Sequence, residues 1–166
     1  MRTVINLDDG PAIAKMKAIA EEIKICLFCT NIHEIPFDVR PMSILEVDAV
    51  GDCWFFSIKD SNKNDEILLD SKVQLLFSKP SYRDFLSVYG DAEIVTSPAK
   101  LKQLWPRADK AWFTEGIEDP NLTLVRVIVK GAYYWDTKQS LAQMALSSAM
   151  ASLDHEKDVT EGDLLL

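Results

Sequence analysis

The spacing of short apolar runs most restricts what this chain can fold into. Ile25–Thr30, Phe37–Val47, Cys53–Ile58, Val73–Phe77, Arg83–Val95 and Leu122–Val129 are continuous or alternating apolar stretches that end on turn-forming residues. Ala132–Trp135 extends the last of them beyond Gly131. A doubly wound parallel sheet needs a crossover helix after every strand, and here helices fall between only some of them. The pattern predicts a mostly β chain with peripheral helices, a barrel of six to seven mainly antiparallel strands.

The helices have their own signals. Ala12, Ile13, Met16, Ile19, Ala20 and Ile23 recur at three- and four-residue steps after Asp9-Gly10-Pro11, which predicts an amphipathic first helix. Ser61 reads as the N-cap of a short helix running to Asp70, and Ser97-Pro98 opens another through Trp105. An Ala- and Met-rich helix is expected over about Leu141 to Leu153. Two strand positions stand out. Pro41 cannot donate to a ladder, so it implies an edge, a bulge or an opened pairing beside Arg40, and Gly90 implies a bulge or a close approach.

With 166 residues the chain has room for one domain, which we place at residues 1–153, followed by an acidic tail at 154–166 that is expected to be poorly ordered or a peripheral contact. No apolar run approaches the ~20 residues of a membrane-spanning helix, and MRTVINLDDGPAIAKMK shows no signal-peptide pattern. A cytoplasmic protein is expected. The net charge of −8 opposes nucleic-acid binding, which wants a concentrated positive face.

The residues exclude several chemistries. Neither a GxGxxG nor a Walker A pattern occurs, and the two histidines, His33 in a turn and His155 in the tail, make no metal cluster or catalytic triad. Cys26 and Cys29 form a CxxC inside a strand, where positions three apart face opposite sides, so they read as packing residues. Trp105, Trp112 and Phe113 read as core or interface packing, with a lid over a ligand as the alternative.

What remains is Arg40 to Lys63, two apolar runs with a cation at each end. Arg40 can fork onto a phosphate, Lys63 adds a point charge, and Ser61 with the amides of a helix start can donate to the same anion. The same cations can equally be surface residues near Asp38, Asp60 and Asp65. Spacing leaves both readings open.

A set of ordered motifs bears on the choice: RPMS, D-x-x-G-D-C-W-F-F-S-I-K-D-S-N-K-x-x-E-I, LSVYGDAEIV, LKQLW, KAWF, G-x-E-D-P-N-L-T-L-V-R-V and YYWD. Over about Ile13 to Asp136 the chain resembles the general stress protein branch of the pyridoxamine 5'-phosphate oxidase-like flavoproteins. The resemblance implies a split β-barrel that pairs as a homodimer and binds FMN at the interface. Arg40 would contact the FMN phosphate, Met42 and Ser43 would lie along the flavin, and Phe55, Phe56 and Ser57 would line the ring, partly through backbone groups. Ser61 and Lys63 would complete the phosphate site, and Trp135 would approach from the second subunit.

Two departures mark the limits of the resemblance. The oxidases carry an arginine where this chain has Asn62, and their basic, histidine-bearing motif after the tryptophan is replaced here by Asp136 and Thr137. The resemblance therefore does not extend to oxidation of pyridoxamine phosphate. It implies an FMN-dependent oxidoreductase using a small organic or nicotinamide donor, with no catalytic residue assigned and no metal. The alternative is a non-catalytic stress protein that stores, buffers or senses FMN. Related barrels also take deazaflavin or haem, and the lack of a well-placed histidine makes haem the weakest of these ligands.

Overall fold

The computed structural model describes residues 3–4, 7–81, 84–108, 110–111, 113–136 and 160–165. In chain order the elements are β1 (Thr3–Val4), β2 (Leu7–Asp8), α1 (Asp9–Ile23), β3 (Ile25–Thr30), β4 (Asp38–Val47) and β5 (Cys53–Ile58). They continue with α2 (Asn62–Leu69), β6 (Lys72–Lys79), β7 (Asp84–Val95), α3 (Pro98–Leu104), β8 (Leu122–Asp136) and β9 (Thr160–Leu165). The helix expected at 141–153, Arg83, Trp112 and His155 lie outside the described residues.

Six antiparallel strands close on themselves in the order β8-β5-β4-β3-β6-β7, with β7 returning to β8. This is the expected mostly β barrel, and closure leaves few edges to satisfy. Within the acidic C-terminal stretch, β9 pairs antiparallel with the second half of β8 and parallel with β1 and β2, so these three short strands extend the sheet beyond the barrel.

Alternation on the strands sorts the side chains into two cores. On β5, Cys53 and Phe55 point into the barrel while Trp54 and Phe56 point to the other side, as a pleated strand requires. The barrel interior holds Phe28, Phe55, Leu75, Phe77, Val88 and Tyr134, and α1 covers it with Ala12, Met16, Ile19 and Ala20. Phe28 meets Phe55 edge to face at 5.3 Å. The second core gathers Leu45, Trp54, Phe56, Leu122 and Leu124 with Leu104 of α3.

Both backbone expectations have a physical counterpart. The β7–β8 register slips between Tyr89 and Gly90, and a Cβ at Gly90 would lie 2.4 Å from the Ile128 carbonyl oxygen. Pro41 lies opposite Leu27 of β3, but β4 meets β5 only from Ile44 onward, with a bulge between Ile44 and Glu46. The first half of β4 therefore has one open edge. That is where a proline is tolerated, and where the barrel splits.

Candidate functional site

The split is bounded by the start of α2. Ser61 caps this helix, its hydroxyl accepting from the Asn64 amide at 3.4 Å. The three- and four-residue spacing then turns Lys63, Asn64 and Ile67 inward together. Lys63 is only 8% exposed, and its ammonium donates to the Ser57 hydroxyl and, at 3.2 Å, to Asn64 Oδ1. Ser57 donates to the same oxygen at 2.6 Å, and Asn64 Nδ2 donates to the Lys59 carbonyl and to Thr123 Oγ1. The buried polar groups are thus satisfied by one another, which removes the penalty of burying them unpaired. Burial pushes the Lys63 ammonium down to about 8, the nearby Arg40 charge adds to the effect, and Glu66 opposes it.

Arg40 reaches the same region from β4. Its Nη1 donates to Thr30 Oγ1 at 2.7 Å and its Nη2 to Glu66 Oε2 at 2.7 Å, while Thr30 Oγ1 donates to Glu66 Oε2 at 2.5 Å. The carboxylate engaging Arg40 is therefore Glu66 of α2. Asp38 instead accepts from Asn31.

These groups border a cavity of about 560 Å³. Arg40, Met42, Ser43, Phe56, Ser57, Ser61 and Lys63 all line it, so seven of the nine site residues expected from the sequence meet at one opening. Ile25, Leu45 and Phe113 make the apolar walls. Phe113 sits edge to face with Phe56 at 5.3 Å, and Trp105 approaches Phe56 at 5.8 Å, so both aromatics pack against the second core while Phe113 also bounds the cavity.

Two expected residues stand elsewhere. The Phe55 side chain is fully buried in the barrel core against Phe28, leaving only its backbone for a ligand. Trp135, on β8, packs against Tyr133 at 4.6 Å and Phe85 at 6.4 Å, and does not line the cavity of its own chain.

Thr30, Asn64, Glu66 and Thr123 carry no expectation from the sequence, although all four hold the cations in place. The legible signal was the K-x-x-E spacing after a cap, which sets Lys63 and Glu66 one turn apart. Cys26, Cys29 and Cys53 are all buried, and burial pushes their thiols up, away from nucleophile or metal-ligand behaviour. Among the described residues no group of three or more His, Cys, Asp or Glu side chains is arranged to hold a metal, and no helix is long and apolar enough to cross a membrane.

The chain is similar in sequence and in fold to known proteins. The protein bli-3 of Neurospora crassa is 24% identical, over 75% of this chain and 68% of its own. The general stress FMN/FAD binding protein of Xanthomonas citri is 27% identical, with a TM-score of 0.64 over 87% of this chain and 96% of that one. A Clostridium acetobutylicum protein related to general stress protein 26 is 21% identical and superposes with a TM-score of 0.64 over 77% of this chain and 90% of its own, which supports the fold. The model of the pyridoxamine 5'-phosphate oxidase-like family matches residues 11–158, and the chain belongs to that family.

Proposed function

We propose that this chain is a homodimeric, cytoplasmic flavoprotein of the general stress type that holds FMN in the split of the barrel. One observation carries the reading. A single cavity joins an anion-binding end, made of Arg40, Ser61 and Lys63, to an apolar wall bearing Met42, Leu45 and Phe56. Its volume of about 560 Å³ lies within the roughly 300–1,000 Å³ of small-ligand sites. The donor set fits a phosphate monoester attached to a flat ring, because Lys63 rests on neutral oxygens and Arg40 lines the wall with further donors to offer.

In this reading Arg40, Lys63 and Ser61 bind the phosphate, while Met42, Ser43, Phe56 and Ser57 exclude water from the ring. Bound flavin would supply two-electron redox chemistry that side chains cannot. The Xanthomonas citri relative is described as binding FMN or FAD, which supports the cofactor class. The exposed Ile25, Leu27, Val39 and Leu76 lie on neighbouring strands β3, β4 and β6, and Ile25 also lines the cavity. An apolar face of this kind suits a second copy of the chain placed beside the flavin. Unpaired cysteines at positions 26, 29 and 53 suit a reducing compartment.

Whether the flavin turns over with a nicotinamide or small organic donor is the finer question. One observation favours storage or sensing: among the described residues, Arg40 and Lys63 are the only acid–base side chains lining the cavity, and both are engaged as cations. Purified protein should show oxidised-flavin absorbance or acquire it on titration with FMN, and Arg40→Ala combined with Lys63→Ala should weaken binding by 2 orders of magnitude or more, roughly the worth of two charge-assisted contacts. A colourless protein that ignores FMN would sink the reading. Repeated reduction by NADH or NADPH with reoxidation would make the chain an oxidoreductase, and a bound flavin that neither reduces would leave storage or sensing.

A further inference from the structure

Glu66 has no part in the cofactor contacts above, yet its carboxylate is built into the anion-binding end. It accepts from Arg40 Nη2 at 2.7 Å and from Thr30 Oγ1 at 2.5 Å, while Arg40 Nη1 donates to the same threonine hydroxyl. Three side chains from β3, β4 and α2 thus close a small cycle. The ion pair is mostly out of water, with Arg40 25% and Glu66 17% exposed, so its charges act on their surroundings more strongly than surface charges do. Lys63, three residues earlier on α2, is different: its hydrogen-bond acceptors are Ser57 and Asn64, both neutral. Among the described residues two cations line the cavity, and of these one has a carboxylate in contact and the other does not.

We infer that Glu66 sets how strongly the cavity prefers a phosphate-bearing ligand over its phosphate-free counterpart, by cancelling the charge of Arg40 while keeping its guanidinium in place. The inference rests on the reading of this end as a phosphate site. A phosphate at the cavity wall meets the remaining donors of Arg40, and repulsion from the carboxylate bound to that same guanidinium offsets part of their attraction. Lys63 then supplies most of the net charge attraction. Glutamine in place of Glu66 accepts the same two hydrogen bonds through its carbonyl oxygen but carries no charge, so it separates charge from position.

The test titrates the full chain, wild type and Glu66→Gln, with inorganic phosphate, FMN and riboflavin by calorimetry at pH 7 and low salt, alongside melting curves. Removing one partly screened like charge should tighten phosphate and FMN by about five- to tenfold and leave riboflavin within about twofold. Phosphate and FMN affinities that stay the same or weaken overturn the inference, as does riboflavin tightening equally. A variant that fails to fold also overturns it, since Glu66 would then be a structural anchor. Should the wild type bind phosphate but neither flavin, the flavin reading falls and Glu66 is judged on the phosphate arm alone. Indifference of both proteins to phosphate and FMN overturns both readings.

Discussion

At the scale of single residues, Lys63 is a cavity-lining cation whose titration the fold shifts. The fold lowers its ammonium from the usual 10.5 to about 8 because burial strips it of water. Between those two values the unfolded chain binds more protons than the folded one, so on this group's account stability rises as pH goes from 8 to 10.5. Ligand binding runs the other way. An anion needs the ammonium charged, so FMN affinity should hold near pH 7 and fall above pH 8 by up to about tenfold per unit, with Arg40 and Glu66 as the charged neighbours that modulate the slope. Fluorescence titrations between pH 7 and 9.5 check this. An affinity that stays level across that range would remove Lys63 from the phosphate site.

At the scale of elements, the closed barrel depends on the long β7–β8 pairing, and Gly90 is its tightest point. An added Cβ would come within 2.4 Å of the Ile128 carbonyl oxygen and 3.0 Å of a Val127 methyl group. A backbone oxygen cannot swing aside as a side chain can. Gly90→Ala should therefore cost about 1–3 kcal/mol by overpacking, read as a lower urea midpoint with an unchanged slope. Loss of less than about 0.5 kcal/mol would show that the bulge relaxes freely. Helix α2 makes the complementary point. Its single turn from Lys63 to Glu66 fixes the spacing of the proposed anion-binding end, and the Ser61 cap starts that turn just after β5.

At the scale of the molecule, the proposed second copy can be tested on the apolar face beside the cavity. Leu27 lies at 47% exposure between Pro41 and Leu76 on its neighbouring strands, in the middle of the apolar face beside the cavity. If the proposed dimer forms through this face, Leu27→Lys should give a monomer in light scattering and reduce flavin retention with it, since a charge at the centre of an apolar interface is left without a partner. A variant that remains dimeric and flavin-bound would move the interface elsewhere, and Trp135 with it.

Much of this was legible in the chain itself, for reasons that differ by residue. The identity of the six barrel strands and of α1, α2 and α3 followed from local periodicity and from the caps Ser61 and Ser97, because those signals act within a few residues. Pro41 and Gly90 were readable as interruptions because each lacks a group that an ordinary strand needs: the amide hydrogen in proline, the Cβ in glycine. Seven of the nine expected site residues meet at the cavity because they sit on two strands and the helix start that follows. Alternation put Phe55 and Phe56 on opposite faces of β5, but which face met the cavity and which the barrel core was not legible, and Phe55 turned into the core.

Sequence alone thus determined the six barrel strands, their interruptions and the cations, since these depend on what each residue can do with its immediate neighbours, while the short strands β1, β2 and β9 went unread. Tertiary structure decided the rest. Closure of β7 on β8 encloses Phe55, the late start of β4–β5 pairing opens the cavity at Pro41, and the packing of α2 against β3 brings Thr30 and Glu66 onto Arg40. Those contacts join residues as many as 36 positions apart. Which charge neutralises which is settled only when the chain has folded, because electrostatics acts through space and not along the backbone.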